Sequence, residues 1–307
     1  MGVPQQSWGF TLEIIFLELV HTGINSTIYK FQINGEAYKI KISKIDFYQR
    51  TLREKDALEL LSKLQVPLYA SPLFWTIDEQ SKVGILVTKW VNGHRLQLAG
   101  NNTIIKIISF LTKIHDITLN NCDTIKKDCW GASSIYEMKA CIDYQLQFLN
   151  KKNICKYERY LSYFFSCSKP DNPYAYRCLC HMDNNFSNFI DVNNTIFALD
   201  WEYSGVSDPA FDLAQFITHP SICLNSDFDY LEVLSHYNNL STSIIIDYEW
   251  YEYLFSSMTL WWSLHIEKYL QSFPQYFSKT NMSFKSQSDL LYQRDKYYEK
   301  LDDLKFS

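Results

Sequence analysis

Between Phe16 and Val91 the apolar positions come in short runs. Phe16 to Val20 and Ile28 to Ile33 flank His21-Thr22-Gly23-Ile24-Asn25-Ser26, a hairpin pattern with glycine in the turn. Ala37 to Ile42 alternates Tyr38, Ile40 and Ile42 with Lys39 and Lys41, which predicts a strand carrying both lysines on one side. From Arg50 to Leu64 the residues Ala57, Leu58, Leu61 and Leu64 recur at the spacing of one helix face. Glu54 lies one turn before Leu58 on that same stripe, and a carboxylate facing a core requires a partner. Pro67 and Pro72 interrupt the chain before two further strands, Phe74 to Ile77 and Gly84 to Val91.

Past Asn92-Gly93 the period becomes helical. Ile104, Ile107, Ile108, Leu111 and Ile114 mark one amphipathic helix, and others are expected over 134–150, 155–167, 209–218, 228–238, 247–270 and 287–304. Two apolar runs, Tyr176 to Cys180 and Ile196 to Leu199, each lead directly into a polar cluster. The pattern predicts an α+β chain of two lobes: a small β-rich lobe with one helix over residues 1–91, and a larger helical lobe over 92–307. The hinge falls near Lys89 to Asn92.

Composition narrows the classes. Only 9 of the 307 residues are glycine, which excludes collagen-like and linker readings. The formal net charge is −5, from 29 basic and 34 acidic residues, where a nucleic-acid binder would carry a basic excess. No run of apolar residues is long enough to span a membrane. The segment from Met1 to Val20 contains Glu13 and Glu18 and no Lys or Arg, so no signal peptide is expected. Gly2 is followed by Gln6, where a myristoylation motif has Ser or Thr. All 8 cysteines lie between Cys122 and Cys223 without a CxxC pair, which points to free thiols in a reducing, cytoplasmic setting. Cys178, Cys180 and His181 form a short cluster, but structural zinc takes four ligands and the second pair is missing.

The chemistry gathers in His181-Met182-Asp183-Asn184-Asn185-Phe186-Ser187-Asn188 and in Asp200, each just after an apolar run. Asn188 and Asp200 offer one amide and one carboxylate oxygen at neighbouring strand ends, a donor set for a hard cation such as Mg²⁺. Asp183 is left to accept a proton from an alcohol, the division of labour that phosphoryl transfer needs. Lys41 ends the third strand, from which an ammonium can reach phosphates, with Glu54 as its ion-pair partner. The turn around Gly23 would cover the phosphates with backbone N–H groups. Each residue taken singly has a plainer reading: Asp183 a solvated loop carboxylate, Asp200 or Asp212 a cap, Lys41 an exposed lysine, and Glu54 a surface partner of Arg50.

Together and in this order they resemble the aminoglycoside phosphotransferase and choline kinase superfamily, which shares the protein-kinase fold. His181, Asp183 and Asn188 match its His-x-Asp-x-x-x-x-Asn loop. Leu199-Asp200-Trp201-Glu202 matches its metal motif, and Asp208-Pro209-Ala210-Phe211-Asp212-Leu213-Ala214 the segment that follows. The match is strong over about 176–216 and looser at Gly23, Lys41 and Glu54. The resemblance implies a kinase using ATP and Mg²⁺, with Asp183 as catalytic base and Asn188 and Asp200 as metal ligands. Lys41 and Glu54 would be the phosphate-binding pair, His181 and Asp212 would shape the loop, and backbone near Trp90 and Val91 would meet adenine. Two positions depart from the family: Asn184 stands where an apolar residue is common, and Ser187 where glycine is.

The acceptor should be a small molecule with a free hydroxyl. Asp200-Trp201-Glu202-Tyr203 with Asp208-Pro209 looks most like bacterial choline kinases, and His-Met-Asp also like thiamine kinases. Both acceptors, like ethanolamine, join a hydroxyethyl group to a cationic nitrogen, which aromatic faces bind well. Trp250, Tyr251, Tyr253, Trp261 and Trp262 are candidates, with Trp261 foremost, although a helical tryptophan is more often core. An aminoglycoside phosphotransferase would want many carboxylates, and the stretch 219–270 has only a handful. A non-catalytic kinase-like binding protein would usually have lost one of Lys41, Asp183, Asn188 or Asp200, and all four are present.

Overall fold

Alternation of apolar and polar residues builds the first layer. Strands β1 (Leu17–Thr22), β2 (Ser26–Ile33) and β3 (Glu36–Lys44) form an antiparallel meander, closed between β2 and β3 by Asn34-Gly35, both at positive φ. The helix expected after it is α1 (Arg50–Lys63), followed by β4 (Phe74–Asp78) and β5 (Val83–Lys89). The five strands pair in the order β1-β2-β3-β5-β4. Helix α1 packs closely on this sheet because position 84 is glycine: a Cβ there would lie 2.1 Å from the Thr51 hydroxyl.

The computed structural model of the chain describes residues 17–23, 25–96, 101–127, 131–132, 134–167, 176–224, 229–273 and 286–304. The expectations for Gly2, Gln6, Phe16 and Ile24 lie outside the described residues.

The alternation in β3 sorts its two faces. Lys39 and Lys41 do share one side, but that side faces inward, and Lys41 is only 2% exposed. Tyr38, Ile40 and Ile42 occupy the other side and stay half-buried.

The chain crosses from the sheet through 90–93 into β6 (His94–Arg95). Gly93 lets this crossing lie against the next lobe, since a Cβ there would meet Ile190, Asp191 and Val192 within 3 Å. The helical lobe then runs through α2 (Asn101–Thr118), α3 (Ile135–Leu146), α4 (Lys151–Cys155) and α5 (Glu158–Ser166). The helix expected over 134–150 ends at Leu146, and the short α4 follows it, with Asn150 capping α4 through its side chain. Short strands β7 (Cys178–Cys180), β8 (Phe189–Val192), β9 (Thr195–Ala198) and β10 (Gly205–Ser207) follow. β7 pairs with β10, and β8 with β9 and β6. The lobe ends in α6 (Pro209–Thr218), α7 (Pro220–Cys223), α8 (Tyr230–Leu240), α9 (Tyr248–Ser272) and α10 (Gln287–Asp303).

The core is continuous from Leu61 and Leu86 in the sheet lobe to α2, α6 and α9 in the helical one. Among the described residues no helix is long and apolar enough to cross a membrane.

Candidate active site

The β8–β9 hairpin brings together the two oxygen donors that the sequence separates. Asn193-Asn194, at φ 53 and 65, makes a tight two-residue turn. Phe189 then pairs with Ala198, and the Leu199 N–H donates to the Asn188 carbonyl at 2.7 Å, so Asn188 and Asp200 flank the open end. The Asn188 amide nitrogen donates to the carbonyl of Asp183 at 2.9 Å and to its carboxylate at 3.2 Å. That fixes which way the amide faces and leaves its oxygen as the free acceptor. Asp200 itself adopts a left-handed conformation, φ 63, that presents its carboxylate to Lys41.

The loop before this hairpin is anchored from below. Met182, at φ 63, is a strained position for a residue with a side chain. Asp212 holds it there. Its carboxylate accepts from the N–H groups of His181 at 3.1 Å and Met182 at 3.0 Å, and from the Asn184 amide at 2.7 Å. Gln215 adds a second tie, accepting from Asn184 N–H and donating to the Met182 carbonyl. Asn184, which departs from the apolar family pattern, is therefore wholly buried and serves the anchor. His181 directs its ring to the Leu199 carbonyl at 2.8 Å, joining the loop to the strand end that carries Asp200. The cap of α6 is Asp208, which accepts from Ala210 N–H, so Asp212 is free for the loop.

Sequence reasoning missed His115. Its ring bridges Asp212 at 3.1 Å and the Tyr237 hydroxyl at 3.0 Å. It lies within 4.8 Å of the thiols of Cys178 and Cys180, so the histidine beside those cysteines is His115 and not His181. Burial works against a charged His115, but Cys180 and Asp212 outweigh it and hold its pKa up to about 10. Burial would raise Asp212, and its bonds to His115 and the Met182 N–H bring it below the usual carboxylate range.

Across the cleft Lys41 meets Glu54 at 2.7 Å, and also Asp200 and Glu202. Burial alone would push its ammonium down, but Asp200, Glu54 and Glu202 hold it well above its ordinary value. Lys39 and Lys41 together overcome the burial of Glu54 and bring its pKa to about 2. Glu54 thus pairs with the strand lysines, while Arg50 turns to Asp46 and Glu202. Asp183 shows the opposite balance. Burial, Asp200 and Glu202 raise it to about 7, against the Asn188 bond and Lys41.

A cleft of about 430 Å³ is lined by Lys41, Glu54, Trp90, Val91, Asn188 and Asp200 among others. Tyr69 closes its far side: its hydroxyl joins both backbone groups of Ala198, at 3.0 and 3.1 Å, and its ring stacks on Phe197. Gly23 is not part of the lining. Its N–H closes its own turn onto the Ser26 carbonyl, and the neighbouring Val20, His21 and Ile28 face the cleft instead. Trp261 also lies away from this cleft. It stacks on His265 at 4.7 Å beside Trp262, which meets His219 edge-on. His219 bonds Ser221, whose hydroxyl accepts from the Phe186 N–H of the 181–188 loop, so the aromatic cluster is tied to that loop.

A five-stranded sheet with one helix, set over a helical lobe with the polar groups between them, is the protein-kinase-like fold. The chain belongs to the phosphotransferase enzyme family, whose model matches residues 17–251. A thermostable mutant of the aminoglycoside phosphotransferase APH(4)-Ia, solved with AMP-PNP and hygromycin B, superposes with a TM-score of 0.61 at 12% identity, covering 94% of each chain. The choline kinase LicA from Streptococcus pneumoniae gives 0.52 at 18% identity over 95% of each chain. A choline/ethanolamine kinase family protein from Mesorhizobium loti gives 0.55 at 16% identity, over 94% of this chain and 87% of that one. At such identities these likenesses speak to the fold alone. No curated protein sequence matches the chain.

Proposed function

We propose that the chain is an ATP-dependent kinase that phosphorylates the hydroxyl of a small cationic alcohol of the choline, ethanolamine or thiamine kind. One observation carries the reading: Lys41, Asn188 and Asp200 line the same interlobe cleft, Lys41 bonds Asp200, and the Asn188 amide bonds the Asp183 carboxylate at 3.2 Å. The sheet lobe, 1–91, takes the nucleotide, with Trp90 and Val91 at the base and Lys41 at the phosphates. The helical lobe, 92–307, takes the acceptor.

The free amide oxygen of Asn188 and the carboxylate of Asp200 fit a hard cation, and they would hold Mg²⁺. Bound there, the ion would neutralise phosphate charge. Asp183 accepts the acceptor's hydroxyl proton as the new O–P bond forms and the bond between the γ-phosphorus and the bridging oxygen breaks, leaving ADP. Its raised pKa, about 7, suits a base near neutral pH. Lys41 binds phosphate oxygens and Glu54 holds its ammonium in place.

The cationic part of the acceptor is assigned to the ring faces of Trp261, Trp262 and their neighbours on α9. Burial keeps His219 and His265 neutral, each at about 3, so neither repels a cation there. The free thiols of the described cysteines agree with a reducing, cytoplasmic setting.

A coupled ADP-release assay over choline, ethanolamine, thiamine and an aminoglycoside panel tests the reading. Turnover is expected with a hydroxyethyl cation. Turnover with aminoglycosides alone would support the second reading, an aminoglycoside phosphotransferase. Failure to bind MgATP would leave a non-catalytic kinase-like protein.

A further inference from the structure

Helix α1 begins against the local rules. Its N-cap, Gln49, sits at φ 54 and makes no side-chain cap bond, and the first turn contains no acidic residue. Instead the first helical residue is Arg50, a cation at the positive end of the helix dipole. Such conflicts between sequence and local structure concentrate at functional positions. What holds the helix start is Asp46 just before it and Glu202 on the other lobe.

Arg50 is 5% exposed. Its Nε lies 2.6 Å from Asp46, and its Nη1 lies 2.8 Å from Glu202 Oε1 and bonds the Tyr203 hydroxyl. The guanidinium covers the Tyr203 ring at 4.5 Å and the Tyr48 ring at 5.0 Å. The second oxygen of Glu202 lies 2.8 Å from Lys41 Nζ. Lys41 in turn meets Glu54 at 2.7 Å, one turn along the same helix from Arg50. The four side chains therefore form a continuous run, from Arg50 through Glu202 and Lys41 to Glu54, whose two ends α1 joins through its backbone. Two of its members, Arg50 and Glu54, are fixed by α1, and the other two come from β3 and from the motif that carries Asp200.

We propose that Arg50 is a positioning residue for phosphate binding: it neutralises Glu202 and so keeps that carboxylate from holding Lys41 away from the nucleotide. Lys41 faces Glu54, Asp200 and Glu202. Glu54 orients it, and Asp200 is assigned to the cation. Glu202 is the remaining competitor for the ammonium, and Arg50 is its other partner. Without the guanidinium, the whole charge of a buried carboxylate falls on Lys41. In the low dielectric of this site that attraction opposes the exchange of Lys41 onto phosphate.

The inference rests on the kinase reading only in needing a nucleotide, so binding can be measured without an acceptor. AMP-PNP with Mg²⁺ is titrated calorimetrically into the full chain and into Arg50→Gln, Glu202→Gln, Arg50→Gln/Glu202→Gln and Arg50→Lys, with nucleotide-induced melting shifts as a second readout. Arg50→Gln is expected to weaken binding by about tenfold or more, a free-energy change of about 1.4 kcal/mol. Adding Glu202→Gln is expected to return affinity to that of Glu202→Gln alone, a rescue that loss of a merely structural contact would not give. Arg50→Lys, which keeps the charge without the fork, should fall between. If Arg50→Gln does not fold, Arg50→Lys against Arg50→Lys/Glu202→Gln gives the same comparison. Wild-type affinity in both Arg50 variants, or a double variant no better than the Arg50 single one, overturns the proposal. Absence of binding in the unaltered chain would instead overturn the kinase reading itself.

Discussion

Asp212 and Lys41 stand at opposite ends of one site and are held by opposite means. Asp212 is fixed by directional hydrogen bonds, two of them from backbone N–H groups of the loop it anchors. Lys41 is held by hydrogen-bonded ion pairs to the side chains of Glu54 and Asp200, with the Glu202 carboxylate beside them, and no backbone group is among these partners. Hydrogen bonds to a backbone set a geometry before any ligand arrives. Ion pairs among flexible side chains set a charge balance, which an incoming polyanion can rearrange. The loop is thus preorganised, and the lysine cluster is exchangeable.

The comparison can be broken at its firm end first. Asp212→Asn leaves His115 without its counter-charge and puts an amide nitrogen against N–H donors. A loss of about 3–5 kcal/mol in unfolding free energy is expected by denaturant titration. A loss below about 1 kcal/mol would mean that the loop is held otherwise. Asp183→Asn should leave the melting temperature unchanged while lowering kcat by at least about a hundredfold. Unchanged turnover would remove Asp183 from the proton transfer.

A gentler test uses pH. Because the fold raises Asp183 to about 7, its protonated form prevails below that pH and its activity as a base is lost as pH falls. The profile of kcat/KM should drop about tenfold per pH unit on the acid side, and Asp183→Asn should flatten it. A flat wild-type profile between pH 5 and about 7 would contradict the assignment. The smallest effect is expected at Tyr69→Phe, which strips the hydroxyl from both backbone groups of Ala198. About 1 kcal/mol of stability should be lost, together with a raised KM for MgATP.

Motif residues were legible because their chemistry is compressed into short sequence. Asp183 and Asn188 lie in one loop, and Asp200 lies across a single hairpin. The alternation in β3 also showed both lysines on one side, without showing that this side faces inward. What could not be read depends on distant partners. His115 meets Asp212 and Tyr237, 97 and 122 positions on, and alone it is one more residue on an amphipathic helix. Arg50 looked like an i, i+4 partner of Glu54 because spacing within a helix is visible and a carboxylate 152 positions away is not. The only trace in the sequence was a poor one: a cation at a helix start with no capping residue before it. Gly23 misled for the reverse reason, since a glycine in a hairpin turn serves the turn first.

The hairpin of β8 and β9 has a further consequence. Asn188 and Asp200 belong to one small ribbon, closed by Asn193-Asn194 and built wholly within the helical lobe. Their spacing therefore travels as a unit when the cleft breathes, so an ion seated between them would keep its coordination whether the jaws are wide or shut.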